Sequence, residues 1–261
     1  MGILNVTPDS FSDGGRFTDD AAMAGQVAEL VAAGADIIDI GGESSRPFSD
    51  PVSVAEELDR VLPAIRAVRR EHPTIPISID TTKAVVAEEA IEAGATLIND
   101  ISALRFDPAM AEVAARHRVV VILMHMQGTP KEMQVEPRYN DVVAEIMDFL
   151  AERIAWAVAR GIGRENLIVD PGIGFGKSVA HNLAILKHLR RFRELGCPLL
   201  LGHSRKAFIG KILDLEVTER DFPTAVLSAL AVREGVDLIR VHDVAMTRQA
   251  VRLAAAVQAA P

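Results

Sequence analysis

Cysteine is almost absent. The chain carries one, Cys197, in 261 residues, so no disulfide can form within it. That fits a reducing compartment such as the cytoplasm, and beside Pro198 the residue reads as a small core side chain opening a strand. Long apolar runs are missing too. The purest, Val119 to Met124, falls far short of the ~18 residues a membrane-spanning helix needs. The start shows no charged segment followed by an apolar one, as a secretory signal would. Positive charge is in deficit: 28 Lys and Arg stand against 36 Asp and Glu, a formal net charge of −8. That argues against nucleic acid or an anionic membrane as partner, since both need a basic face. A small anionic substrate stays open, because a few local cations and backbone amides can hold a phosphate. The seven histidines are scattered. No H-E-x-x-H, no Cys pair and no G-x-S-x-G occurs, so neither a zinc site nor a nucleophile elbow is signalled.

What the chain has is a repeated join. Leu30 to Ile40, Ala90 to Asp100 and Val232 to Val241 each read as a helix end, a glycine (Gly34, Gly94, Gly235), a short turn and a buried strand. Glycine at that place supplies the left-handed residue that ends a helix. Eight strand candidates follow this rhythm: Ile3–Val6, Asp36–Ile40, Ile77–Ile79, Thr96–Ile98, Val119–Met124, Leu167–Val169, Leu199–Leu201 and Leu238–Val241. They are apolar on both faces, as parallel strands covered by helices are. Between them run helical stripes. One carries Met23, Val27, Leu30 and Val31. A second begins with a capping box at Ser53-Val-Ala-Glu56 and carries Leu58, Leu62, Ile65 and Val68. A third carries Val143, Ile146, Leu150, Ile154 and Val158. No linker divides the chain, and ~250 residues is the usual size of one (β/α)8 barrel. The expectation is an α/β fold, a single-domain (β/α)8 TIM barrel over residues 1–261.

Barrel active sites lie at the C-terminal ends of the strands. The residues there are Asn5, Gly41-Gly-Glu43, Asp80, Asn99-Asp100, His125, Asp170, Ser204-Arg-Lys206 and Arg240-Val-His242. Helix capping would account for any one of them; Asp80 before Thr81-Thr82-Lys83 could simply cap the third helix. His125 reads as structural, Lys206 alone as a solvated helix cation, and His242 alone as a hydrogen-bonded core histidine. Eight polar endings on one rim instead suggest a polar ligand.

The loops after the first two strands, Thr7–Gly15 and Gly41–Asp50, exceed the usual ~2–6 residues and suggest a lid. Asp170-Pro-Gly-Ile-Gly-Phe-Gly-Lys177 fails the dinucleotide fingerprint, but its glycines let a flat ligand or Phe175 come close. Gly202 to Gly210 opens a helix after the seventh strand. Its free N–H groups, with Arg46, Arg240 and His242, make a plausible anion cradle.

Taken together the motifs are specific. Met1-Gly-Ile-Leu-Asn-Val-Thr-Pro-Asp-Ser-Phe-Ser-Asp-Gly-Gly15, Gly41-Gly-Glu-Ser-Ser-Arg-Pro47, Leu123-Met-His-Met-Gln-Gly128, Asp170 to Lys177, Ser204-Arg-Lys206 and Arg240-Val-His-Asp243 resemble, in order and spacing, the dihydropteroate synthase family. The resemblance implies a transferase of folate biosynthesis that joins p-aminobenzoate to 6-hydroxymethyl-7,8-dihydropterin diphosphate and releases pyrophosphate. It implies that Asp80, Asn99, Met124, Asp170 and Lys206 hold the pterin, and that Asn5, Ser45, Arg46, Arg240 and His242 hold the diphosphate. Asn5 would lie near a Mg²⁺. Ser45, Arg46, Pro47, Phe175 and Ser204 would enclose p-aminobenzoate. Asp80, Lys206, Arg240 and His242 would carry catalysis, with Asp80 acting through its charge rather than as a nucleophile. Sulfonamides are implied as inhibitors, and a homodimer pairing through outer helices as the assembly.

Against the family pattern, Ser45 replaces a frequent Thr, Phe48 a frequent Gly, and Ala207 a frequent Ser. The family's short segment before the first strand has no counterpart here. Rival readings are a methyltetrahydrofolate-dependent corrinoid methyltransferase, a Schiff-base aldolase using Lys206, and a pterin-binding module without turnover.

Overall fold

The structure is a computed structural model that describes residues 1–6, 16–44 and 50–260, with the backbone alone for 16–22. All eight expected strands form: β1 Gly2–Asn5, β2 Ile38–Gly41, β3 Ile77–Asp80, β4 Leu97–Asp100, β5 Val120–Met124, β6 Leu167–Asp170, β7 Leu200–Leu201 and β8 Leu238–Ile239. Strands β1 to β6 pair in parallel and in chain order, and β7 pairs with β8. Single bridges, Val169 to Leu199 and Gly2 to Val241, join these two sheets and close the ring. The last strand is shorter than the expected Leu238–Val241, because it meets β1 only through the bridge at Val241, whose carbonyl accepts from Ile3 N at 3.0 Å.

Two cores follow from the two-residue period of the strands. Ile38, Ile40, Ile77, Ile79, Val121, Leu123, Leu167, Val169, Leu199 and Leu201 face outward and pack with the helices. Leu97, Ile122, Ile168 and Leu200 face inward as a separate cluster, with Leu238 half-buried against it. Two residues further along these inward rows come Asn99, Met124, Asp170, Gly202 and Arg240; two beyond Ser78 comes Asp80. The alternation that fills the barrel floor with aliphatics thus aims polar groups into its mouth.

The helices are α1 Arg16–Ala32, α2 Val54–Glu71, α3 Ala84–Glu92, α4 Met110–His117, α5 Val142–Ala159, α6 Val179–Lys187, α7 Ala207–Leu213, α8 Asp221–Arg233 and α9 Val244–Gln258. The short α7 is one more than strict alternation requires. Gly34, Gly94 and Gly235 hold positive φ at the three recurring joins. Ser53 caps α2 by accepting from Glu56 N at 3.2 Å. The reciprocal half of the expected capping box is absent, because Arg60, one turn on, takes the Glu56 carboxylate. On α5 the buried stripe continues from Ile154 to Ala157, and Val158 is exposed, since successive four-residue steps drift around a helix of 3.6-residue period until a three-residue step restores the face. No helix among the described residues is long and apolar enough to cross a membrane.

Candidate active site

The barrel mouth is organised around Arg240. Just beyond β8, its Nε donates to Asp39 Oδ2 at 2.5 Å and its Nη2 to Asp80 Oδ2 at 2.6 Å. Asp39 is fully buried between isoleucines on β2. Asn99 at the end of β4 also donates to Asp39 Oδ2, at 3.4 Å. Burial pushes the Asp80 carboxyl up to about 7, with Asp39 and Glu57 adding and Arg240 and Lys206 opposing. Arg240 itself is held firmly protonated: the Asp39 and Asp80 charges outweigh its burial. Asp80 does not cap the third helix. The N-cap position of α3 is Lys83, and Ala84 N donates to Asp107 Oδ2 at 2.8 Å instead, which leaves Asp80 free for the mouth.

Lys206 faces this carboxylate group from the opposite side. It is the N-cap residue of α7 and not a solvated helix cation: its Nζ lies 4.0 Å from the centre of the Phe175 ring, a cation–π contact. Burial, then the Arg240 charge, lowers it to about 8, so it stays largely protonated at neutral pH. The close approach depends on Gly174, where an added Cβ would meet Lys206 Cδ at 3.0 Å. Asp170 turns Oδ1 toward Gly172 N at 2.7 Å, leaving Oδ2 as an acceptor beside Gly202, whose added Cβ would lie 3.4 Å from it. Burial raises Asp170 to about 6, against the Gly172 N–H and the Lys206 charge. Met124, Met126, Met133, Ile101 and Phe175 form an apolar cluster of their own on this side. A flat heterocycle between Asp80, Asn99 and Asp170 would find acceptors and donors at its edge, Lys206 at its rim and Met124 against its face.

The glycine-rich loop is tied down by Lys177, which is 3% exposed. Its Nζ donates to Phe175 O at 2.9 Å and His125 O at 3.3 Å, and meets His125 Nδ1 at 3.0 Å. His125 packs edge-on against Phe149 and is held near 2 by burial and the Lys177 charge. Gly172, at φ +69°, lets the loop pass where a Cβ would come within 1.9 Å of His125 O.

At the seventh and eighth strands, Ser204 Oγ and His242 Nδ1 lie 2.9 Å apart, and His242 N donates to the same hydroxyl at 3.2 Å. Burial and the neighbouring Arg205 and Arg240 lower His242 to about 4, so it is a neutral donor at pH 7. The turn carrying Ser204 and Lys206 is fixed from behind: Arg205 forks onto Asp221 with two 2.7 Å bonds, and buried His203 binds Thr224 O at 3.0 Å. Ser204 precedes α7 and does not cap it.

Asn5 ends β1 across from Gly41. A Cβ on Gly41 would sit 3.5 Å from Asp80 Cβ and 3.9 Å from Asn5 Oδ1, so the missing side chain opens a cleft between these two residues. Among the described residues no three His, Cys, Asp or Glu side chains gather to hold a metal. An amide oxygen in an open cleft suits a hard cation that arrives already coordinated by phosphate.

Asn5, Asp80, Asn99, Met124, Asp170, Phe175, Ser204, Lys206, Arg240 and His242 therefore all reach one rim. Ser45, Arg46 and Pro47, with Phe48, lie outside the described residues. Three features escaped sequence reading. Asp39 sits inside a strand and not at its end, although a lone acid among isoleucines was visible. The Lys177–His125 contact spans two loops. Buried Glu57 on α2 pairs with Lys83 at 2.5 Å, and Lys83 also binds Glu43. With Arg60, which donates to Gly42 O at 2.7 Å, they hold the root of the second loop.

The chain has known relatives. The pattern that defines the pterin binding enzyme family matches residues 1–242. The dihydropteroate synthase of Synechocystis sp. is 47% identical over 255 residues, covering 97% of this chain and 88% of that protein. The chain belongs to the dihydropteroate synthase family. Its backbone also superposes on solved members of the family. The crystal structure of the Yersinia pestis dihydropteroate synthase with a sulfonamide drug complex has a TM-score of 0.93 at 44% identity, covering 100% of this chain and 94% of that one. The Xanthomonas albilineans dihydropteroate synthase in complex with 7,8-dihydropteroate has a TM-score of 0.90 at 45% identity, with the same coverage.

Proposed function

We propose that this chain condenses p-aminobenzoate with 6-hydroxymethyl-7,8-dihydropterin diphosphate, giving 7,8-dihydropteroate and pyrophosphate. The observation that carries the reading is the charge arrangement at the mouth: Asp80 and Arg240 in contact at 2.6 Å, with Lys206 over Phe175 on the other side. Asp80, Asn99 and Asp170 accept from and donate to the pterin edge, Lys206 donates to its acceptors, and Met124 flanks the ring. Arg240, neutral His242 and Asn5 receive the diphosphate, with Ser45 and Arg46 of the second loop. Phe175, Ser204, Ser45, Arg46 and Pro47 enclose p-aminobenzoate.

In the reaction the bond from the pterin methylene carbon to the diphosphate oxygen breaks first, and its electron pair leaves with pyrophosphate. Arg240 and His242 meet the growing negative charge. The cation left behind is delocalised over the pterin, and the Asp80 carboxylate stabilises it. The amine then forms the C–N bond and sheds one proton. Mg²⁺, held by Asn5 together with the phosphates, would supply further charge neutralisation. The two long loops would exclude water.

Sulfonamides, bound by the Yersinia pestis relative, would compete for the p-aminobenzoate pocket. The chain would work in the cytoplasm as a homodimer. Phe222, Val226 and Leu230 on α8 and Leu253 and Val257 on α9 are exposed at helical spacing, a face that a second copy would cover.

The test is pyrophosphate release from dihydropterin diphosphate with Mg²⁺, with and without p-aminobenzoate. Release together with dihydropteroate formation is expected. Tight pterin binding without either product would favour a binding module and refute the assignment. Sedimentation at micromolar concentration checks the dimer.

A further inference from the structure

The two carboxylates on Arg240 differ in standing. The Asp39 side chain is 0% exposed, whereas Asp80 is 13% and Arg240 19% exposed. Asp39 holds Arg240 by one oxygen on Nε, and its Oδ1 has no partner. A fork would have used both oxygens against Nε and an Nη group. This one-point grip leaves the Nη edge of the guanidinium unconfined by Asp39. Asp80 holds that edge, at a strand end open to the mouth. An anion arriving beside His242 and Ser204 can compete for Nη2, but it cannot reach the sealed bond between Nε and Asp39.

We propose that Asp39 is the fixed anchor of Arg240, and that diphosphate binding exchanges Asp80 for phosphate at the Nη edge, releasing the Asp80 carboxylate toward the pterin. The inference rests on the function proposed above and assigns Asp39 as a positioning residue that never touches substrate. It makes the diphosphate the trigger for the electrostatic group: until phosphate takes Nη2, the Asp80 charge is spent on Arg240. Asn99, which shares Asp39 Oδ2, keeps the anchor oriented while the exchange occurs. Because coupling between two ligands is reciprocal, pyrophosphate must tighten binding of a pterin ring that lacks the diphosphate, and the ring must tighten binding of pyrophosphate. A fixed pairing of Arg240 with Asp80 gives no such coupling.

The experiment is calorimetric titration of 6-hydroxymethylpterin into the full chain, with Mg²⁺, with and without saturating pyrophosphate. In the wild type, pyrophosphate should strengthen ring binding at least threefold. Asp39→Asn should weaken pyrophosphate tenfold or more, leave ring binding alone within twofold, and abolish the coupling. Arg240→Lys has a single nitrogen and cannot keep an anchor while changing partners, so it should also bind the ring without coupling. The wild-type measurement does not depend on whether Asp39→Asn folds. A wild type that turns over substrate but shows no coupling overturns the exchange and leaves the enzymatic reading intact. Loss of ring and pyrophosphate binding alike in soluble Asp39→Asn overturns the anchor role. A wild type that binds no pterin overturns both.

Discussion

Lys177→Met removes a buried amino group and keeps most of its stem. In the wild type Nζ serves Phe175 O at 2.9 Å, His125 O at 3.3 Å and His125 Nδ1 at 3.0 Å. Each buried group left without a partner costs roughly 1–3 kcal/mol, while the variant no longer desolvates an amine. The net loss should be about 3 kcal/mol. For a chain of this size that is a fall in Tm of about 6–12 °C, at roughly 2–4 °C per kcal/mol. A pH signature separates this mechanism from ordinary packing loss. Burial lowers Lys177 from 10.5 to about 7. Between those values the unfolded chain binds a proton that the folded chain does not, so wild-type stability rises with pH across the window. The gap between wild type and variant should widen from pH 7 toward pH 9, by no more than about 1.4 kcal/mol per pH unit. Denaturant unfolding at pH 6, 7, 8 and 9 measures it. Because Lys177 also holds the Phe175 carbonyl, the KM for p-aminobenzoate should rise several-fold while the affinity for pterin changes little. Equal stability of the two proteins, or a gap constant in pH, would refute the account.

Three further outcomes are expected. Gly172→Ala combines a left-handed φ with a Cβ 1.9 Å from His125 O; about 2–5 kcal/mol of lost stability follows, and a variant melting within a few degrees of wild type would contradict it. The pH profile of kcat/KM for the pterin diphosphate should be bell-shaped. It should fall below about 7 as Asp80 takes up a proton and above about 8 as Lys206 loses one. Asp80→Asn should lose the acid limb and about 10²–10³ in kcat, and an unchanged limb would reassign it. Ser53→Ala removes the α2 cap bond, so Tm should drop by the equivalent of ~1 kcal/mol with kcat unaltered; a matching fall in kcat would show that the helix start reaches the site.

The sequence carried the barrel because its parallel strands are buried on both faces and end in polar residues. Ile77–Ile79 followed by Asp80 shows both signals in four letters, and Gly34, Gly94 and Gly235 mark where each preceding helix must stop. The strand-end rule then collected eight of the ten side chains that the structure brings to one rim; Met124 came only with the family resemblance, and Phe175 with the glycine-rich loop. It could not find Asp39, whose role depends on a residue 201 positions away, nor Lys177, which ties its own loop at Phe175 to His125 on the neighbouring one. The Ser53 capping box was half right for a local reason: the Glu56 carboxylate had a second suitor in Arg60 at helical spacing. Helix α7 was legible only as a helix start, because seven residues, Ala207–Leu213, are too few to show a period.

Arg240 meets Asp39 and Asp80 across 201 and 160 residues of chain. During synthesis from the N-terminus, six strands can settle into one sheet while the barrel still lacks its cation. Until the last strand docks, Asp39 and Asp80 lack the guanidinium that bridges them, and the charge of Lys206 is left to favour the Asp80 carboxylate. A chain stopped short of β8 would therefore bring two carboxylates together without their shared partner. The salt bridge at the mouth is thus among the last contacts that a growing chain can make.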